Sequence, residues 1–301
     1  MERPAFPAVI DATQIATMRS CMRKQYLQYM EHWKPMGESV HLVAGAAFAR
    51  GLEVARQAFY EQGVDSETAI EAGVKALVVA YGNFETPEGS AKGVDRMVGA
   101  LIFYFDNYPL ATDAAKPLIL PSGRHAIEFS FAQPLPFSHP ITGDPVLYTG
   151  RSDMICTFAD GVYIEDDKTA SQLGASWSRQ WDLRSQFTGY CWAAEQAGME
   201  VNGVLVRGVS ILKTKYDTLQ AITYRSAWER ARWLTQIVRD LERLQRCWEE
   251  GYYDYALDHA CNEYGGCSFN QICKSPDPDS WLPMSFERRI WNPLTREETP
   301  A

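Results

Sequence analysis

Two aspartates and a lysine between residues 150 and 169 have the types and spacing needed for hydrolytic chemistry. Asp153 precedes Asp166-x-Lys168 by thirteen positions. Two carboxylates within reach of each other repel unless a cation neutralises them, and hard oxygen ligands favour Mg²⁺ or Mn²⁺. Such a cation lowers the pKa of a bound water and polarises a phosphate, and a nearby lysine stabilises developing negative charge. These residues therefore fit phosphodiester hydrolysis.

A predicted β-hairpin brings the three side chains onto one face. Asp160-Gly161 stands between two β-like runs and is a strong signal for a two-residue loop. With this loop, Asp153 falls opposite Lys168 and Ile155 falls opposite Asp166. Cross-strand partners share a face, as do residues two apart on one strand. The alternative interpretation is a salt-bridge cluster on an exposed hairpin face.

The helix predicted after this hairpin favours the chemical interpretation. Gln186 and Tyr190 are four residues apart and share a helical face, where they could bind a phosphate or a water near the metal. Arg179 could line the same approach. Trp177 and Trp181 are candidates for stacking unpaired bases, with packing in the core as the alternative.

Composition restricts the class of protein. The 301-residue chain has a net charge of −9, which argues against non-specific coating of nucleic acid and requires that any DNA contact be local. The longest apolar runs are shorter than the roughly 18 residues needed to cross a bilayer, and the N-terminus lacks the features of a signal peptide. The sequence predicts a cytoplasmic protein that makes no membrane contact.

Hydrophobic periodicity predicts an α/β fold in one domain. We expect an N-terminal helical part at 1–110, a sheet core at 120–225, and a long helix with a cysteine-rich tail at 226–301. Predicted helices span 11–33, 43–62, 66–84, 92–108, 179–198 and 226–250. Predicted strands span 125–135, 146–158, 162–169, 201–213 and 219–224.

Three of the seven cysteines crowd into the C-terminal tail as Cys261-x5-Cys267-x5-Cys273. An odd number of cysteines argues against a disulfide framework. The spacing differs from the C-x2-C of common zinc sites, so the residues alone leave a zinc site and unconnected thiols open. Buried thiols that act as small apolar groups account for the rest, which are Cys156, Cys191 and Cys247.

Taken together, the motif Asp153, Asp166-x-Lys168 and Gln186-x-x-x-Tyr190 resembles the RecB-like nucleases of the PD-(D/E)XK superfamily, and Glu128 matches an acidic position of that family. The resemblance implies a central mixed β-sheet flanked by helices. It also implies a metal-dependent DNA nuclease, an exonuclease on single strands or DNA ends, that acts in repair, recombination or replication. A structure-specific endonuclease is the alternative activity.

The resemblance also assigns roles to individual side chains. Asp153, Asp166 and the main-chain carbonyl of Asp167 would hold Mg²⁺ or Mn²⁺. Lys168 would assist the attacking water. Gln186 and Tyr190, which follow the acidic motif in the sequence, would position DNA.

A helical motif, Gly45-x-x-x-Ala49-x-x-Leu52-Glu53, resembles the family at one further place. Ala49 stands where the family has a histidine that binds the metal. Glu53 lies one turn further on the same face, and we expect it to substitute directly or through water. The departure at Ala49 makes a catalytically degenerate protein that binds DNA or a partner the alternative function.

The cysteines resemble a second feature of these nucleases. AddB-type nucleases and CRISPR-associated exonucleases carry one N-terminal and three C-terminal cysteines around a [4Fe–4S] cluster. Cys21, Cys261, Cys267 and Cys273 share this layout, although the first C-terminal gap is longer than the usual two residues. The resemblance implies an iron–sulfur cluster that holds the tail against the first helix, with Zn²⁺ as the alternative.

Overall fold

The computed structural model describes residues 3–159, 161–262 and 266–300. Its strands are β1 (Val9–Asp11), β2 (Trp33–Pro35), β3 (Lys116–Pro117), β4 (Ile127–Ser138), β5 (Pro145–Phe158), β6 (Gly161–Ala170), β7 (Gly203–Ile211), β8 (Tyr216–Tyr224), β9 (Phe286–Asn292) and β10 (Glu297–Pro300). Its helices are α1 (Ala12–Ser20), α2 (Met22–Gln25), α3 (Val40–Tyr60), α4 (Ser66–Tyr81), α5 (Val94–Asn107), α6 (Ala175–Arg179), α7 (Ser185–Gln196), α8 (Ala227–Glu250), α9 (His259–Asn262), α10 (Asn270–Lys274) and α11 (Pro278–Ser285), with a π-helical segment at Tyr26–Met30.

The chain divides into two compact units. One comprises Met1–Gly37, Phe131–Gly150 and Trp228–Ala301, and the other comprises Glu38–Ser130 and Arg151–Ala227. The predicted organisation of one domain with parts at 1–110, 120–225 and 226–301 stays a prediction. In the described part of the chain, no helix is both long and apolar enough to span a bilayer.

A mixed sheet forms the centre of the second unit. The strand order is β5-β6-β7-β8, in which β6 and β7 are parallel and the other two pairs are antiparallel, and β3 pairs with β5. Strand β7 is buried along its whole length, as expected for a central strand with both faces covered. The predicted α/β fold with a central mixed sheet flanked by helices is confirmed.

The register of the β5–β6 hairpin differs from the predicted one by two residues. Phe158 pairs with Gly161, and Ile155 pairs with Ile164 instead of Asp166. The predicted loop is therefore wrong at Gly161, which lies in β6, while Asp160 lies outside the described residues. Ala159 supplies the positive φ of the turn, at 48°. Because side chains alternate with a period of two, a shift of two keeps every side chain on its predicted face.

Helices cover both faces of this sheet. On one face, α3, α4 and α5 form an apolar core with the end of β7, in which Phe48, Leu101 and Val209 are buried. On the other face, Trp177 of α6 packs against Gly208 of β7, the register partner of Lys168. A Cβ at Gly208 would lie within 3.0 Å of both Trp177 and Leu173, so only glycine admits this contact.

The first unit begins with a helix that is interrupted at a cysteine. Asp11 caps α1 by accepting hydrogen bonds from the backbone N–H groups of Thr13 and Gln14. The predicted continuous helix 11–33 is wrong, because Cys21 is extended at φ −164° and separates α1 from α2. The predicted loop-rich tail contains β9 and β10, which form an antiparallel sheet in the order β10-β9-β2.

We predict that Gly208→Ala destabilises the protein by about 1–3 kcal/mol, because the added methyl group displaces the Trp177 ring from a closely packed site. Thermal and urea unfolding measure the change. Gly45→Ala is the matched control. Nothing lies within 4 Å of a Cβ at Gly45 in α3, so this variant should gain about 0.5–1 kcal/mol. Equal stability of the two variants would contradict the packing argument.

Candidate active site

Asp153, Asp166 and Lys168 meet on one face of the β5–β6 hairpin, as predicted. The Lys168 ammonium group forms an ion pair with the Asp166 carboxylate. The backbone N–H of Asp167 donates a hydrogen bond of 2.8 Å to Oδ2 of Asp153. Asp166 is buried and Lys168 is partly exposed, so the lysine lies at the open side of the carboxylate pair.

Burial and mutual repulsion disfavour the ionisation of both carboxylates at once. Burial, followed by the charge of Asp166, raises the pKa of Asp153 to about 7. Burial also raises the pKa of Asp166, and the charge of Lys168 opposes that effect. Burial lowers the pKa of Lys168, but the charges of Asp166 and Asp153 outweigh it and raise the pKa. One lysine thus faces two carboxylates.

The donor set fits a divalent cation. Two carboxylates with raised pKa values need further positive charge to ionise together at neutral pH, and their oxygens are the ligands that Mg²⁺ and Mn²⁺ prefer. Asp167 lies between Asp166 and Lys168, and its main chain is tied to Asp153. Among the described residues, however, no group of three or more His, Cys, Asp or Glu side chains is arranged so that it could hold a metal ion.

Two glutamates extend the acidic site. Glu128 adopts φ 52° within β4, a conformation that non-glycine residues rarely take, and its carboxylate forms an ion pair with Arg151 at 2.5 Å. Burial and the charge of Asp153 raise the pKa of Glu128 to about 8, and the charge of Glu53 adds to this effect. Glu53 pairs with Arg50 at 2.7 Å on α3. The structure thus brings Glu128 to the carboxylate pair, with Glu53 beside it.

Helix α7 contributes polar groups on the Lys168 side. Gln186 Nε2 donates to Tyr190 Oη at 3.0 Å, and Tyr190 lies near enough to Lys168 to contribute electrostatically to its raised pKa. Arg184, which the sequence analysis missed, is exposed directly before α7, and its charge acts to lower the pKa of Asp166. Its position before the first turn of the helix with Gln186 was the available signal.

The other residues predicted on this side of the sheet, which are two tryptophans and an arginine, differ in their exposure. Trp177 and Trp181 are buried and pack edge to face with ring centroids 5.3 Å apart, so they are core residues and not exposed stacking platforms. Arg179 is exposed at the end of α6.

A second set of charges, also missed from the sequence, lies on the opposite face of β6. Glu165 and Asp167 alternate with Asp166 and Lys168, and their carboxylates pair with Arg56 of α3 at 2.5 and 2.8 Å. Arg207 pairs with Asp113 through both terminal nitrogens, at 2.5 and 2.7 Å. A lone arginine inside the apolar run of β7 was the sequence signal for this network.

The four predicted cluster cysteines line one pocket in the first unit. Cys21, Cys261, Cys267 and Cys273 surround it together with Lys24 and apolar side chains. Burial raises the pKa of Cys273, and the charges of Cys21, Cys267 and Cys261 raise it further, so the thiols lie close together. All four are free of disulfide bonds. Four thiolates are a ligand set for thiophilic metals, but in the described part of the chain these cysteines are not arranged as a group that could hold a metal ion.

Comparison with known proteins gives a consistent result. The family model of the PD-(D/E)XK nuclease superfamily matches residues 10–274. A crystal structure of an exonuclease candidate from Eubacterium rectale is 12% identical with a TM-score of 0.51, and the match covers 85% of this chain and 88% of that one. A second structure, SSO0001, covers 66% and 73% at 13% identity, and its TM-score of 0.29 is too low to support an argument. No curated protein matches the sequence.

We predict that the metal-free protein loses stability as the pH rises from about 4 to about 7. The folded state keeps a proton on Asp153, whose pKa rises from 3.8 to about 7, and the unfolded state releases it. Melting temperatures in EDTA across this range measure the loss. Asp153→Asn should flatten the slope, while Asp144→Asn, at an exposed loop position, should not. Identical slopes in wild type and Asp153→Asn would contradict the prediction.

Proposed function

Because the chain belongs to the PD-(D/E)XK nuclease superfamily, we propose that it is a metal-dependent DNA nuclease of the RecB-like branch. The observation that carries the proposal is the buried pair of Asp153 and Asp166 with Lys168 on one sheet face. An acidic site of this kind selects a divalent cation, and such a cation promotes phosphodiester hydrolysis.

The proposed roles differ between the side chains of the site. Asp153, Asp166 and the main-chain carbonyl of Asp167 would hold Mg²⁺ or Mn²⁺, with Glu53 and Glu128 as further acidic groups beside them. When bound, the cation would supply a nucleophile at neutral pH and neutralise phosphate charge. Lys168 stays protonated because its pKa is raised. It therefore acts as a charge stabiliser for the phosphate and the attacking water, and not as a general base.

DNA would approach from the side of α7. Gln186 and Tyr190 form a hydrogen-bonded pair near Lys168, and the exposed guanidinium group of Arg184 would contact a backbone phosphate. The chain has a net charge of −9 and as a whole repels the DNA backbone. These local groups would attract DNA at the site alone. We propose an exonuclease on single strands or DNA ends in repair, recombination or replication.

The thiol pocket has a separate, structural role in this proposal. Cys21, Cys261, Cys267 and Cys273 would ligate a [4Fe–4S] cluster, for which four thiolates are the usual ligand set. The cluster would join the break between α1 and α2 to the C-terminal tail. A zinc ion is the competing occupant of the same four thiols.

One observation favours a second function. Ala49 provides no ligand on α3, and Glu53 is already paired with Arg50. A protein with this feature could keep the fold and bind DNA without cleaving it.

The nuclease proposal is tested with a labelled single-stranded oligonucleotide in Mn²⁺. Asp166→Ala should reduce the cleavage rate about 10³-fold, because several kcal/mol of transition-state stabilisation are lost with the metal ligand. EDTA should abolish cleavage, and Asp144→Ala, an exposed aspartate outside the site, should leave the rate unchanged. DNA binding with background cleavage in wild type would support the degenerate alternative. Cleavage of circular single-stranded DNA would identify an endonuclease.

The cluster proposal is tested by metal content after anaerobic purification. Wild-type protein should be brown and contain iron and sulfide, and Cys273→Ala should lose both because one of four ligands is removed. Cys247→Ala, which removes a buried thiol of α8 away from the pocket lining, should keep them. Colourless protein with one zinc per chain would show that the occupant is zinc.

A further inference from the structure

A buried network behind the carboxylate pair supports the strand that carries it. The side chain of Arg56 is 4% exposed, and those of Glu165 and Asp167 are 0% and 2% exposed. Buried carboxylates are costly unless each is paired, so Glu165 and Asp167 require cations on this face. Arg56 and Arg207 supply them from α3 and β7.

The two arginines differ in what they hold. Arg56 donates to Asp167 Oδ2 at 2.8 Å, and Tyr104 donates to Asp167 Oδ1 at 2.7 Å, so both carboxylate oxygens of Asp167 are fixed. Arg207 donates instead to Asp113, and to Gln220 at 3.1 Å, and it reaches Glu165 and the Tyr104 hydroxyl only at 3.5 Å. Of the two arginines, only Arg56 therefore contacts Asp167.

Asp167 transmits this constraint to the other face. Its side chain points to Arg56 and Tyr104, and its backbone N–H donates to Asp153 Oδ2 at 2.8 Å. A continuous set of hydrogen bonds thus runs from helix α3 through the Asp167 residue to the Asp153 carboxylate. Groups that hydrogen-bond to metal ligands orient those ligands, and their loss commonly weakens metal binding about 10–100-fold.

We propose that Arg56, together with Tyr104, is a positioning residue that sets the place of the Asp153 carboxylate beside Asp166 through Asp167. The inference rests on the proposed metal-dependent function. Arg56 contacts neither the substrate side of the sheet nor the carboxylate pair itself, so its effect is on cation affinity and on turnover. DNA binding, which depends on groups near α7, is left largely unaffected.

The test compares Arg56→Lys and Tyr104→Phe with Arg207→Lys in the full-length chain. Arg207 is the matched control because it belongs to the same network at 1% exposure but does not contact Asp167, and it reaches the Tyr104 hydroxyl only at 3.5 Å, where Arg56 reaches it at 2.8 Å. Mn²⁺ affinity is measured without DNA, from the electron paramagnetic resonance signal of free Mn²⁺. Turnover and KM on a single-stranded oligonucleotide, and melting temperature, are measured in parallel. Tyr104→Phe removes one hydroxyl group and keeps the ring, which provides a variant that folds if Arg56→Lys does not.

We expect Arg56→Lys and Tyr104→Phe to weaken Mn²⁺ binding about tenfold or more and to lower kcat with KM unchanged, with partial recovery in excess Mn²⁺. Arg207→Lys should lower the melting temperature but keep the wild-type Mn²⁺ affinity. Unchanged Mn²⁺ affinity in Tyr104→Phe and Arg56→Lys, or equal weakening in Arg207→Lys, would overturn the positioning role. Absence of Mn²⁺ binding in wild type would instead refute the proposed function together with this inference.

Discussion

Strand β6 carries four consecutive charged residues through the interior of a sheet, and the surrounding structure is arranged to make this possible. Alternation along the strand places Glu165 and Asp167 on one face and Asp166 and Lys168 on the other. On the first face, Arg56 and Arg207 pair with Glu165, Asp167 and Asp113 in a largely buried network. On the second face, Lys168 pairs with Asp166 and remains partly exposed. This difference in exposure separates the supporting face from the face that we propose to be reactive.

The two faces also differ in how they are covered. Helices α3 and α5 close the supporting face with a packed core around Tyr104, and Glu165 is fully buried beneath it. On the reactive face, α6 packs closely through Trp177 at Gly208, while Lys168 remains a third exposed. A low-dielectric surround strengthens the interactions of the carboxylate pair, and the partial opening at Lys168 leaves a path for an anionic ligand.

Much of the reactive face was predictable from sequence because its information is local. The Asp153, Asp166 and Lys168 set depends only on strand parity, so it survived an error of two residues in the hairpin register. The supporting face was not predictable, because Arg56 and Arg207 meet Glu165 only through long-range packing of α3 and β7. The break at Cys21 was missed for a similar reason. Its neighbours have helical periodicity, and an extended residue there is decided by tertiary context.

The pairing of the β5–β6 hairpin determines where the chain can change in length. A shift of β6 against β5 by two residues would keep each charge on its own side, and a shift by one would exchange the sides. Because β6 also pairs with β7 from Tyr163 to Ala170, a change of length near Ala159 would be absorbed in the loop and would leave both strands in place. The turn is therefore the part of the hairpin that can grow or shrink without moving a charge to the other face.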